Sequence, residues 1–151
     1  METIQQADIN RIQVGDTASC DFVVDDQAVK AFAALSLDDN ALHMDEAVAQ
    51  DRGFPRRVAH GMLALGGISR LIGTQLPGHG SLWTTQDLRF STPVFVGDAL
   101  TARVTVEQVS KGAGTVKLKT EVKNNSTGSV VLSGTALVRI PPRKDGKAGA
   151  S

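Results

Sequence analysis

The second half of the chain alternates. Leu100, Ala102, Val104 and Val106 fall on one side of an extended segment, with Thr101, Arg103, Thr105 and Glu107 on the other. A period of two marks a strand with one buried and one solvated face. Val116, Leu118 and Val122 repeat it against Lys117, Lys119, Glu121 and Lys123. Val130, Leu132, Ala136, Val138 and Ile140 make a last inward row, and 83–90 reads as a further strand. Turns are supplied by 112–114, which is Gly-Ala-Gly, and by 124–128. The pattern predicts three or four long antiparallel strands, each with one polar face. Such a sheet needs an apolar layer to lie against.

The first half supplies that layer. Val29, Phe32, Ala33 and Leu35 recur at near-helical spacing behind Asp25 and Asp26, which can cap a helix. Asp38, Asp39 and Asn40 stop it, because short polar side chains compete with the helical backbone for hydrogen bonds. A short helix is expected across 45–50 and a loop over 51–57, which holds Gly53 and Pro55. The least polar helical segment runs over 61–76. Met62, Leu65, Ile68, Leu71 and Ile72 give it one broad face, widened by Leu63 and Leu76. Gly66, Gly67 and Gly73 each weaken it by about 1 kcal/mol relative to alanine. A helix that keeps such glycines is expected to bring its backbone close to another element. It is therefore read as the buried helix under the sheet, ended by Pro77-Gly78-His79-Gly80.

Composition narrows the class. The 151 residues suit one ordinary domain, placed at 1–140. Residues 141–151 are small, polar and basic, and read as a disordered tail. Sixteen basic and sixteen acidic residues cancel without forming a long block, which argues against nucleic acid or an anionic membrane as a partner. The single cysteine, Cys20, cannot form an internal disulfide, as suits a reducing cytosol. Residues 1–10 lack a basic stretch followed by an apolar run, so no signal peptide is expected. No segment approaches the roughly 18 continuous apolar residues of a membrane helix. A cytoplasmic protein is the expectation.

The candidate chemistry lies at the exit of the first helix. In Asp38-x-Asn40-x-x-His43 a carboxylate, an amide and an imidazole stand within six positions. An Asp and a His held together can orient and deprotonate a water, as hydration of an activated double bond requires. Alone, such a fragment is more often a helix cap beside a surface His. The segment Val58-Ala59-His60-Gly61-Met62 and the strand-rich second half shift that balance.

Taken together, Asp38-x-Asn40-x-x-His43, His60-Gly61-Met62-Leu63 and Pro93-Val94-Phe95-Val96-Gly97-Asp98 resemble the MaoC-like hydratases. The resemblance is strongest to the short (R)-specific enoyl-CoA hydratases, and Leu76-Pro77-Gly78-x-Gly80-Ser81 is similar to the loop after their central helix. It runs from Phe32 to the end of the last strand. It implies an α+β hot-dog fold: a curved antiparallel sheet wrapped around one long buried helix, with two subunits joining their sheets edge to edge as a homodimer. It also implies that Asp38 and His43 activate the water and that the Gly61 backbone N–H meets the thioester oxygen. Asn40 would fix the loop and, with Ser69, contact the substrate. No metal or redox cofactor is implied, since coenzyme A enters as part of the acyl-CoA substrate. Two positions depart from the family pattern. Leu37 stands where Gly usually precedes the Asp, and Ala41 where Pro usually follows the Asn.

A backbone N–H at a helix start suits this chemistry, because the thioester oxygen gains negative charge as water adds to the β-carbon. Other residues have plainer readings. His60 is expected to be structural, its ring bonding a main-chain group. His79 is expected to face solvent, and Asp98 to form a turn. Arg56 and Arg57 read as a solvated pair, with contact to coenzyme A phosphates as the alternative. Trp83 and Phe90 read as core. Asp38 and His43 lack a third ligand for a metal. The leading expectation is enoyl-CoA hydration. The alternatives are a dehydratase of acyl-carrier-protein or of branched or dicarboxylic acyl thioesters, or a non-catalytic acyl-thioester-binding subunit.

Overall fold

A computed structural model describes residues 4–144, so 145–151 of the expected tail lie outside the described residues. The elements run β1 (Thr17–Val23), α1 (Asp26–Ser36), α2 (Ala41–Met44), α3 (Glu46–Asp51), α4 (Gly61–Thr74), β2 (Leu82–Phe90), β3 (Ala99–Ser110), β4 (Thr115–Asn124) and β5 (Val130–Arg139). The strands form one antiparallel sheet in the order β1-β3-β4-β5-β2, and α4 packs against all five. This is the hot-dog arrangement. Bulges in the β2–β5, β3–β4 and β4–β5 pairings help the sheet curve around the helix.

The inward rows of β3 and β4 are as the alternation predicts, from Leu100 to Val106 and from Val116 to Val122, with Thr120 also buried. On β5 the bulge changes the last row. Val122 pairs with Leu132 and Lys123 with Val130, so Val131 is the extra residue and turns inward in place of Val130. β1 escapes the sequence pattern because every second residue is only half buried and none is fully so.

The buried face of α4 is rotated from the expected one. Ala64, Gly67, Ile68, Leu71 and Ile72 face the sheet, while Met62 is largely exposed. Gly67 alone meets the expectation of close approach. A Cβ there would lie 2.8 Å from the Ala102 Cβ and would run into the Phe22 ring, whereas Gly66 and Gly73 have nothing within 4 Å. On α1, Asp25 caps as expected, its side chain accepting from the Ala28 N–H, but Leu35 is exposed and only Val29 and Ala33 are buried.

Candidate active site

Asp38 and His43 reach the site on a turn built from capping bonds. Leu37 ends α1 in the left-handed conformation, φ 60°. Lacking glycine's freedom there, it takes this shape at a cost of about 1 kcal/mol or more. The Asp38 Oδ1 accepts from the Asn40 N–H at 3.3 Å, and the Asn40 Oδ1 accepts from the Leu42 N–H at 3.0 Å. Asn40 is thus the N-cap of α2, a single helical turn that the sequence reading did not foresee. The Asn40 side chain caps that turn and does not line the cavity beside His43, where substrate contact was expected of it.

Two histidines meet beneath that turn. The rings of His43 and His60 lie 3.9 Å apart at 34°, and the Phe32 ring lies 4.8 Å from that of His60 at 55°. His60 is tied to the main chain as expected, with its Nε2 2.9 Å from the Asp38 carbonyl oxygen. Carbonyl oxygens only accept, so Nε2 carries the proton. By the same logic His43 donates from Nδ1 to the Val58 carbonyl oxygen at 2.7 Å. In the neutral ring the Nε2 is then the acceptor, 3.9 Å from the Asp38 Oδ2. That gap is too long for a direct hydrogen bond and short enough for one water to touch both atoms. The His43 side chain is 13% exposed and the Asp38 side chain 51%, so the pair is open on the carboxylate side.

A cavity of about 460 Å³ adjoins the His43 side of the pair, and Asp38 is not among its lining residues. His43, Gly61, Met62, Ala64, Phe90, Pro93, Val94 and Val131 line it, a mostly apolar wall with its imidazole at one end. Gly61 opens α4, and the helix start has no side-chain cap because the His60 ring is turned to Asp38. The first N–H groups of a helix have no partner within it. That of Gly61 has no hydrogen bond among the described residues. A Cβ on Gly61 would stand 2.9 Å from the Phe90 ring, so the missing side chain keeps this end of the cavity open.

Several expectations change. Ser69 is exposed on α4, eight residues or about 12 Å of helix beyond Gly61, and the structure does not bring it to the cluster. Phe90 is half exposed and forms a cavity wall instead of core. His79 is half buried, its carbonyl accepting from the Ala7 N–H. Asp98 does more than shape a turn. It is buried, accepts from the Phe95 N–H and the Asn124 side chain at 2.9 Å each, and pairs with Arg56. Arg57 pairs with Asp26, so neither arginine is a free loop cation. The Lys30 ammonium, and then the Arg57 guanidinium, hold the Asp26 carboxyl below the usual carboxylate range. His60 supplies the third side chain that Asp38 and His43 lacked in the sequence reading, with ligand atoms of all three within 4.8 Å. Its Nε2 proton, however, is committed to the Asp38 carbonyl.

The MaoC-like domain pattern matches residues 10–129 of this chain. The chain belongs to the MaoC-like family. Among relatives of this MaoC-like protein, the (R)-specific enoyl-CoA hydratase of Rhodospirillum rubrum is 39% identical over 132 residues, covering 87% of this chain and 90% of that protein. The Aeromonas caviae protein of the same name is 43% identical over 113 residues, or 75% of this chain and 84% of that one. The solved structure of the A. caviae (R)-hydratase involved in PHA biosynthesis superposes with a TM-score of 0.83 at 40% identity, covering 87% of this chain and 98% of that one. Among the described residues of this MaoC-like chain, no helix is long and apolar enough to cross a membrane.

Proposed function

We propose that the protein is an (R)-specific enoyl-CoA hydratase, adding water reversibly to a trans-2-enoyl-CoA to give a (3R)-hydroxyacyl-CoA. The carrying observation is the 3.9 Å gap between the His43 Nε2 and the Asp38 Oδ2, with His43 lining a cavity that Gly61, at the uncapped start of α4, also lines. A water in that gap donates one proton to each acceptor and turns a lone pair toward the substrate. His43 takes the first proton as the oxygen bonds to the β-carbon. The double-bond electrons pass through the α-carbon to the thioester oxygen, where the Gly61 N–H at the helix start stabilises the enolate. Collapse of the enolate returns a proton from the imidazolium to the α-carbon on the same face, which makes the addition syn. Asp38 holds the water's other proton throughout and fixes its orientation.

This chemistry runs on side chains and one backbone donor, so we assign no cofactor. Coenzyme A belongs to the substrate. We place the reaction in the single unit 1–140 and assign a homodimer, supported by β2, eight of whose nine residues pair with β5 on one side and whose other edge has no partner among the described residues. The lone Cys20 supports a reducing, cytoplasmic setting.

The test is the fall in conjugated-thioester absorbance when the purified protein meets crotonyl-CoA, with the product's chirality assigned. Hydration to the (3R) alcohol, abolished in Asp38→Asn and His43→Ala, is expected. A folded protein that hydrates no enoyl thioester would reject the reading.

A further inference from the structure

α2 is four residues long, and a helix this short does not sustain itself. The carbonyls of Leu42 and His43 are taken by the Val58 N–H at 3.0 Å and by the Arg57 Nη1 at 3.3 Å. The return bond runs from the His43 Nδ1 to the Val58 carbonyl. Residues 57 and 58 thus grip the turn that carries His43 at three points. This segment is itself fastened to 94–96. The Val96 N–H donates to the Arg57 carbonyl at 3.0 Å and the Ala59 N–H to the Val94 carbonyl at 2.7 Å.

The Arg57 side chain reaches beyond α2. Its Nη2 pairs with Asp26 on the first turn of α1, and its Nε stands 4.0 Å from the Glu46 carboxylate on α3. Glu46 also accepts the Arg57 backbone N–H at 3.1 Å. The Asp26 carboxylate therefore bonds the guanidinium directly, Glu46 stands by as a longer ion pair, and Nη1 donates to the His43 carbonyl. The side chain is only 17% exposed and does not line the cavity.

We infer that Arg57 is a positioning residue: it joins α1, α2 and α3 and holds the His43 turn where one water spans the imidazole and Asp38. The inference rests on the hydratase reading for its effect on rate. Misplacing a reacting group by 1 Å can cost about a hundredfold, so the role should appear in kcat and spare KM.

Residue 41 shows what the guanidinium replaces. Proline at the first position of a helix presets the backbone φ. Asn40, at ψ 129°, already has the extended shape that a residue before proline adopts, and the Ala41 N–H has no partner among the described residues. Proline would thus fit without losing a bond. Order that proline would supply through the backbone comes here from the Arg57 side chain.

The experiment compares wild type, R57A, R57K, D26N and the double variant R57A/A41P, by steady-state kinetics and by amide hydrogen exchange. R57A is expected to lower kcat at least about tenfold with KM changed less than about threefold. Exchange should quicken at the His43 and Asp45 amides, which close α2, and not at Leu71 or Leu118. R57K should fall between wild type and R57A, and adding A41P should restore kcat to within about threefold of wild type. Unchanged kcat and exchange in R57A would overturn the inference. So would a loss in folded R57A that A41P leaves unrepaired. Should R57A not fold, D26N decides: it releases the guanidinium from α1 and should lower kcat with faster α2 exchange, and no change in either would overturn the inference. A wild type that hydrates no thioester rejects the hydratase reading alone, and the exchange data still decide for Arg57.

Discussion

The Nδ1 of His43 lies 2.7 Å from the carbonyl oxygen of Val58, a group that can only accept. The neighbouring His60 makes its carbonyl bond through Nε2 instead, at 2.9 Å to Asp38. Two neighbouring, tilted rings therefore carry these donor protons on opposite nitrogens. Nitrogen-15 imidazole spectra of the resting protein should place the proton on Nδ1 of His43 and on Nε2 of His60. Removing either water-holding group, in His43→Ala or Asp38→Asn, should lower kcat by about 10²–10⁴-fold. A His43 spectrum with the proton on Nε2 would remove it as the base.

Gly67 and Gly66 are adjacent in sequence and opposite in demand. A methyl at Gly67 has to displace Ala102 and the Phe22 ring, both in the packed layer between α4 and the sheet. Gly67→Ala should destabilise by about 1–3 kcal/mol. At Gly66 a Cβ meets nothing within 4 Å of this chain. Gly66→Ala should gain up to about 1 kcal/mol of helix propensity. Urea midpoints of the two variants should move in opposite directions.

Leu37 is 84% exposed, so its side chain contributes almost no packing while its backbone sits at φ 60°. Leu37→Gly should raise stability by about 1 kcal/mol, the cost of a left-handed conformation in a residue with a Cβ. A thermal melt decides it, and a lower midpoint would contradict the assigned strain.

The Asp26 carboxyl is held down by Lys30 first and by Arg57 second. A carboxyl whose folded value is depressed favours the folded state above its unfolded value, near about 3.9 for aspartate. That contribution disappears as the pH falls through the folded value. Wild type should therefore outlast Asp26→Asn in urea near neutral pH, and the difference should close as the pH drops below about 3.9. A difference that persists in acid would assign the effect to something other than the charge.

Much of this architecture could be read from period alone. The rows of β3 and β4 and the long apolar α4 declare themselves because one face of each is buried along its whole length. β1 does not, since it is an edge strand with no fully buried residue. α2 has no period to detect. Its four residues are helical because of partners at 57 and 58, and no local propensity records that. The Asp38 and His43 pair was legible as spacing, and the backbone role of His60 as a probability. Arg57 was not, for its bonds reach 31, 14 and 11 residues along the chain. Ser69, on the exposed side of α4, shows that a motif position does not say which side of a helix faces the cavity of its own chain.

Phe90 has two neighbourhoods. It closes β2, the strand whose outer edge has no partner among the described residues, and its ring forms a wall of the cavity beside Gly61. Whatever pairs with that edge leans on the acyl compartment as well. In the proposed homodimer, self-association and turnover then cease to be separate properties. Diluting the protein through its dissociation range would lower the activity per molecule as well as the particle mass, and a tight acyl ligand would hold the copies together.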